Sequence, residues 1–325
     1  MLDQTRIAVV VPCYQAGRHI AEVVRSMPAF VDDIVVVDDG SPAPVAEAFD
    51  AAADPRIVLI RHDVNRGLAR AMGTGYAAAL QRGAHVVVKM DGDGQMDPAL
   101  LPRLLAPIVE GAADLSKGNR FLHRRLMVEM PMLRRAGNLA LSFLAKAATG
   151  YWQIFDPTNG YVAVRREMLE AIDFERLGPG YFFEISLLRE ACLAGAAAVD
   201  VPIPAQYGDE VSHLSIGRVL VAFPVHLAAS FVRRLGLRYF LWDFSAVGAF
   251  IVAGVPLFTF GLAFGVWHWV TRMGTLTPTP TGTLLLAALP LVLGFQLLLQ
   301  AWVMDIANVP SRSRWAGLRP DGRSG

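Results

Sequence analysis

The chain has 325 residues, enough for one large domain or two small ones with a substantial core. Its formal net charge of +1 excludes the global basic field that draws proteins to nucleic acid, and two cysteines, Cys13 and Cys192, exclude a disulfide framework. At 54% apolar and 18% charged residues it is greasier than most soluble proteins, and the excess is concentrated towards the C-terminus.

Residues 1–6 are largely polar, so no cleaved signal peptide is expected. An apolar run at 7–11 predicts a strand, broken by Pro12-Cys13-Tyr14-Gln15 before a helix from about Ile20. A second strand at 34–37 ends in Asp38-Asp39-Gly40-Ser41, followed by an Ala-rich helix from Pro44. The third, 57–60, runs into Asn65-Arg66-Gly67 and a helix over 68–81, and the fourth, 85–89, into Met90-Asp91-Gly92-Asp93-Gly94-Gln95. Strands alternating with helices predict βαβ units, hence an α/β, Rossmann-like domain with a mostly parallel sheet. Ligands of such sheets bind outside the carboxyl ends of the strands.

Asp91 and Asp93 fall at such an end. Hard carboxylate oxygens this close suit Mg²⁺ or Mn²⁺ shared with a diphosphate, with Gln95 adding a third oxygen, whereas the plain alternative is an Asp-Gly surface turn. Asp38 and Asp39 either hold ribose hydroxyls and base N–H groups or cap a helix. Tyr14, beside Pro12, either stacks on a base or simply packs. Arg66 and Gly67 open a helix whose N-terminal amides suit a phosphate.

Further on come a helix at 98–110, a short strand at 114–117 leading to Gly118-Asn119-Arg120, and a stretch at 123–147 mixing arginines with leucines and methionines. That stretch is either a helix in the membrane interface or an ordinary amphipathic surface helix. Asp156 lies in a turn cluster at 155–161 before a strand at 162–165, and Glu184 is an isolated acid amid apolar residues, either a capping group or part of a site. Residues 207–214 form a mobile lid or a plain linker. Arg120 and Arg134 each offer a planar fork of donors that suits a phosphate at the membrane surface; alternatively Arg134, beside Arg135, is one more charge attracted to anionic lipid.

No Asp, Glu, Lys or Arg occurs from Phe244 to Thr271 or from Met273 to Met304, so two transmembrane helices are expected near 245–270 and 283–304. Arg218, Arg233, Arg234 and Arg238 precede the first, Arg312, Arg314, Arg319 and Arg323 follow the second, and only Arg272 lies between. This distribution predicts an integral protein of the plasma membrane, of the bacterial inner-membrane type, with N-terminal region and tail in the cytoplasm. The expected division is 1–215 for the α/β domain, 216–240 for a juxtamembrane amphipathic helix, 245–304 for the hairpin and 305–325 for the tail.

Taken together, Val-Pro-Cys-Tyr at 11–14, Val-Asp-Asp-Gly-Ser at 37–41, Asn-Arg-Gly-Leu-Ala at 65–69, Asp-Gly-Asp-Gly-Gln at 91–95, Gly-Asn-Arg at 118–120 and Asp-Pro-Thr-Asn-Gly-Tyr at 156–161 resemble the family 2 glycosyltransferases of the GT-A fold. Within them the resemblance is to the polyprenyl-phosphate sugar transferases, the dolichyl-phosphate mannose synthases among them, and it covers about the first 215 residues. It implies a nucleotide-diphospho-sugar donor, a divalent metal at Asp91, Asp93 and Gln95, and base or ribose contacts near Pro12, Tyr14 and Asp39. Two features depart from the pattern, and one further motif is a decoy. Gln15 stands where the family often has Asn followed by Glu, the segment 207–214 lacks the arginine of the dolichol enzymes, and Ser311–Trp315 only superficially resembles the Gln-x-x-Arg-Trp motif of processive synthases.

The expected activity is inverting transfer of one sugar from a UDP- or GDP-sugar to a membrane polyprenyl phosphate, serving a cell-envelope glycan, with Asp156 or Glu184 orienting the acceptor. Alternatives are another lipid or glycan acceptor, or a non-catalytic membrane-anchored nucleotide-binding regulator. A homo-oligomer is compatible with the sequence.

Overall fold

Valine and isoleucine runs form the first four strands of a computed structural model that describes residues 5–15, 19–120, 132–204, 216–273 and 278–316. These are β1 (Ile7–Cys13), β2 (Asp33–Asp38), β3 (Ile57–Arg61) and β4 (Val86–Lys89), mutually parallel. β1, β2 and β4 are covered on both faces, which is why they read as continuous rather than alternating apolar runs. Helices α1 (His19–Arg25) and α2 (Leu68–Gln81) provide crossovers. The helix expected from Pro44 is absent: only two short 3₁₀ turns, Val45–Glu47 and Ala51–Ala53, occupy the connection. There the Asp50 carboxylate captures the Ala52 amide, and Pro55 follows, so local side-chain bonding competes with helix propagation.

Three more strands, β5 (Leu115–Asn119), β6 (Val162–Arg165) and β7 (Ala198–Pro202), complete a seven-stranded sheet of order β3-β2-β1-β4-β6-β5-β7. β6 alone runs against its neighbours, pairing antiparallel with β4 and β5. Its reversed direction brings the turn entering β6 to the same edge where the parallel strands end. Val162 sits opposite both Lys89 of β4 and Lys117 of β5. Helix α3 (Leu101–Val109) covers β5 and β6, while α4 (Met132–Thr149) packs against α6 (Phe183–Leu193), which is buried along its whole length; the short α5 (Arg166–Glu170) follows β6. Ile7, Val9, Val11, Ile34, Val36, Val88, Leu105 and Ile108 form the central apolar cluster.

The chain divides into two compact units, residues 1–232 with 310–325, and residues 233–309. The division falls inside helix α7 (Ile216–Gly236). In the second unit α8 (Ala246–Arg272) and α9 (Thr281–Ala307) are 27 residues each with mean hydropathy 2.1, long and apolar enough to cross a membrane, as expected. Small residues let the two backbones touch. A Cβ added at Gly261 would lie 2.4 Å from the Leu291 amide nitrogen, and one at Gly294 would lie 2.3 Å from that of Phe258. At one end of this unit the fully buried Arg234 donates to both oxygens of Asp305 at 2.7 and 2.8 Å, and the Tyr239 hydroxyl donates to the same carboxylate at 2.7 Å. A buried ion pair is tolerable only when hydrogen-bonded in this way.

Residues 310–316 belong to the first unit, where they dock on the amino end of β5. Ser313 Oγ donates to the buried Asp114 carboxylate, as does the Arg314 amide at 3.0 Å. The Arg314 guanidinium donates to the Ala194 carbonyl at 2.6 Å, and Asp114 also accepts from the Ala197 amide at 2.9 Å. Replacing Asp114 by Ala leaves several of these donors unsatisfied, an expected cost on the order of 1–3 kcal/mol. Thermal unfolding of the solubilised chain should show a lowered Tm both for Asp114→Ala and for truncation after Val309, with the combination costing less than the sum. An unchanged Tm on truncation would show that the tail adds nothing.

Candidate active site

The carboxyl edge of the sheet carries a charged cluster that the apolar strands alone do not announce. Lys89, the last residue of β4, has a side chain only 1% exposed, and its ammonium lies 2.6 Å from Asp91 Oδ1 and 3.1 Å from Glu184 Oε1. Burial by itself would lower its pKa. The charges and hydrogen bonds of Asp91 and Glu184 outweigh this and hold it above the ordinary lysine range. Glu184, in the first turn of α6, therefore backs Asp91 through Lys89. Gly160 completes the packing. A Cβ there would fall 2.5 Å from Asp91 Oδ2 and 2.6 Å from Lys89 Nζ, so only glycine fits without displacing the cluster.

The loop 91–95 turns at Gly94, whose φ is +76°, and the Gln95 amide donates to Asp93 Oδ1 at 3.0 Å. Asp91 is one-third exposed, and Gln95 is exposed. These hard oxygen donors fit Mg²⁺ or Mn²⁺, which typically take one or two carboxylates together with substrate phosphates. The match rests on donor chemistry and on the tethering of Asp91 by Lys89. Among the described residues no group of three or more His, Cys, Asp or Glu side chains gathers into an all-protein cage.

At the ends of β1 and β2 the expected nucleotide residues divide into two sets. Tyr14 is 49% exposed in the loop after Pro12, so it is not a packing residue. The Asp38 and Asp39 carboxylates, in contrast, turn inwards. Asp38 accepts from the amides of Ser41 and Val45 at 2.9 and 3.2 Å and from Arg61 at 2.6 Å. Burial pushes its pKa up, but those donors and the Arg61 charge prevail and leave it below the usual carboxylate value. Asp39 accepts from the amides of Arg66 and Gly67 at 2.9 and 2.7 Å and shares 2.7 Å with His62 Nδ1, whose Nε2 lies 3.0 Å from Thr74 Oγ1. The amides of Arg66 and Gly67, expected to face a phosphate, thus point at Asp39 instead, because a buried carboxylate is the nearest acceptor for a helix N-terminus. Between these loops opens a cleft of about 1040 Å³ lined by Gln15, Glu22, Arg25, Ser41, Pro44 and Glu47.

Across the sheet, Arg120 donates to both oxygens of the fully buried Asp156 at 2.8 and 3.1 Å. The antiparallel β6 explains the meeting: Asp156 enters the edge from its start as Arg120 leaves it from the end of β5. Lys117, buried beneath them, donates to the Asn159 carbonyl, and burial pulls its pKa down to about 8 against the opposing charges of Glu184 and Asp156. The structure thus brings Asp91 and Glu184 together through Lys89, and Arg120 with Asp156. The Arg134 side chain, residues 123–131 of the expected interfacial helix and the segment 207–214 lie outside the described residues. In α4, Leu139, Phe143 and Leu144 expose apolar surface. Sequence reasoning missed Lys89, Lys117, His62 and Gly160. The signal for the two lysines was available, since Lys89 ends a buried strand, Lys117 lies within one, and a buried ammonium requires carboxylate or carbonyl partners.

Comparison with known proteins agrees with this geometry. The family model described as glycosyl transferase family 2 matches residues 8–173. Undecaprenyl-phosphate mannosyltransferase of Micrococcus luteus is 32% identical over 203 residues, covering 61% of this chain and 82% of that protein. Polyprenol monophosphomannose synthase of Mycolicibacterium smegmatis is 35% identical over 204 residues, covering 61% and 76%. Among solved structures, glucosyl-3-phosphoglycerate synthase from Mycobacterium tuberculosis, in complex with Mn²⁺, UDP and phosphoglyceric acid, superposes with TM-score 0.53 at 22% identity over 72% of this chain and 79% of that one. This likeness shows the fold, GT-A, and a second crystal structure of that enzyme holds Mg²⁺ with UDP. With a sheet of this order, an acidic loop at its carboxyl edge and a family model spanning half its length, the chain belongs to glycosyl transferase family 2 and is a glycosyltransferase.

Proposed function

We propose that the protein transfers a single sugar, with inversion, from a UDP- or GDP-sugar to a polyprenyl phosphate in the membrane. The observation that carries this is the placing of an acidic loop and an Arg120–Asp156 pair at one sheet edge, in a chain that also holds two helices able to span a bilayer. The relatives named for undecaprenyl-phosphate and polyprenol mannosyl transfer support the acceptor class. Family membership and the intact Asp91 and Asp93 weigh against a non-catalytic regulator.

In the proposed reaction a phosphate oxygen of the acceptor attacks the anomeric carbon as its bond to the donor diphosphate breaks, and the bonding electron pair leaves on the nucleoside diphosphate. An acceptor phosphate, with a second pKa near ~6, is already anionic at neutral pH, so no strong base is required. Mg²⁺ or Mn²⁺ held by Asp91, Asp93 and Gln95 would supply positive charge to the leaving diphosphate. Lys89 and Glu184 keep Asp91 oriented. Tyr14 and the cleft beside Ser41 offer a surface for the base, while Asp38 and Asp39 shape the loops around it. Arg120, oriented by Asp156, presents a guanidinium to the acceptor phosphate, and Arg134 is assigned as its partner on the strength of its place in α4.

The expected topology gains support from the tail. Residues 310–316 pack in the same unit as residues 1–232, so an even number of crossings must separate them, and the arginines flanking the hairpin favour the cytoplasmic side for both. The exposed Leu139, Phe143 and Leu144 of α4 would suit the membrane interface.

Membranes holding the protein, given undecaprenyl phosphate and a panel of radiolabelled UDP- and GDP-sugars, should move label into the lipid fraction with at least one donor. Excess EDTA or Asp93→Ala should lower that transfer by about 100-fold or more; full activity under either condition would refute the metal assignment.

Gly160→Ala tests the Asp91 cradle separately. Its added methyl must displace Asp91 or Lys89, so kcat is expected to fall about tenfold or more, with a lowered Tm because the buried ion pair is disturbed. Wild-type kcat in this variant would mean that the position of Asp91 is not critical.

A further inference from the structure

Asp200 lies on β7, in register with Lys117 of β5. Its Oδ2 accepts from the Phe155 amide at 2.7 Å and from Asn119 Nδ2 at 2.6 Å. Phe155 immediately precedes Asp156, and Asn119 immediately precedes Arg120. One carboxylate oxygen therefore ties together the roots of both members of the Arg120–Asp156 pair, which enter the edge from different segments. We propose that Asp200 is a positioning residue that sets the Arg120–Asp156 pair for the acceptor phosphate. The inference rests on reading that pair as the acceptor end of the site.

Asp200 is an awkward choice for stability. Its Oδ1 is buried and has no hydrogen-bond partner among the described residues. Burial pushes its carboxyl up to about 6, against the pull of the Phe155 and Asn119 donors and of Lys117. The charged groups that face it are Lys117 from β5, Asp156 from the turn before β6, and Lys146 from α4, whose ammonium also lies 5.0 Å above the Phe155 ring. A local violation of good burial practice, tied to the immediate neighbours of two site residues, is what functional constraint looks like.

Burial sets the sign of the titration. A carboxyl whose folded pKa exceeds its unfolded value of about 3.9 takes up its proton more readily when folded. It thus costs stability in full above about pH 6, and that cost shrinks as pH falls from this value towards the unfolded one. Asp200→Asn should therefore be no less stable than the wild type near pH 7.5.

The test uses the full chain in detergent, undecaprenyl phosphate as acceptor, the nucleotide sugar that supports transfer, and calorimetric binding of UDP and GDP with Mn²⁺. Asp200→Ala is expected to lower kcat/KM for undecaprenyl phosphate about tenfold or more while nucleotide affinity stays within about twofold. Asp200→Asn, which keeps an oxygen able to accept from both donors, should recover most of that loss. Unchanged acceptor kinetics in Asp200→Ala, a parallel loss of nucleotide binding, or an Asp200→Asn variant as impaired as the alanine would each overturn the inference. Arg120→Lys separates the two layers. If it is silent, the acceptor reading fails; if it is impaired while Asp200→Ala is silent, only the role of Asp200 fails.

Discussion

An ammonium sealed beneath a sheet edge needs oxygen partners close by, and Lys89 finds them in two carboxylates, Asp91 and Glu184. The requirement organises the molecule. It fixes where β4 must stop, because Asp91 has to turn back within two residues. It sets the depth at which α6 enters, since Glu184 must arrive from the opposite direction. It also demands a glycine at position 160, where any side chain would collide with both partners. Removing either carboxylate would leave a charge in a low-dielectric interior, so the cluster is held together by the cost of its alternatives more than by the strength of any one bond.

The single reversed strand extends this arrangement across the sheet. In a purely parallel sheet the segment before β6 would lie at the far edge, and Asp156 could not meet Arg120. Reversal of β6 puts a start among ends, and the two halves of the site, donor loops on β1 to β4 and the Arg120–Asp156 pair by β5 and β6, share one rim. Beneath that rim the buried Lys117 and the partly buried Asp200 form a second layer of charge, bonded to the Asn159 carbonyl and the Phe155 amide.

Much of this was legible in the residues. Continuous Val and Ile runs specified strands buried on both faces, and uncharged stretches of this length specified the two long helices. The acidic loop was readable as a candidate because two carboxylates spaced by glycines follow a buried strand. What escaped were features decided by partners distant in sequence. The direction of β6 depends on which strand it joins, not on its own residues. Asp38 and Asp39 look alike to a ligand and to a loop amide, and only tertiary placement shows that nearby backbone claimed them. The missing helix after Pro44 reflects a local competition that propensity alone scores the other way, because alanines favour a helix and Asp50 interrupts it.

The docking of Ser313 and Arg314 on Asp114 has a consequence for biosynthesis. A ribosome makes the α/β sheet first and this segment last, with both apolar helices in between. The Ala197 amide can reach Asp114 early, yet the other two donors arrive only after both apolar helices have been made. With the hairpin inserted as proposed, docking of this segment would require the chain to have returned to the side it left. A chain whose second helix stalled would then carry a sheet with one buried carboxylate short of partners, a local defect by which quality-control proteases could tell misinserted copies from finished ones.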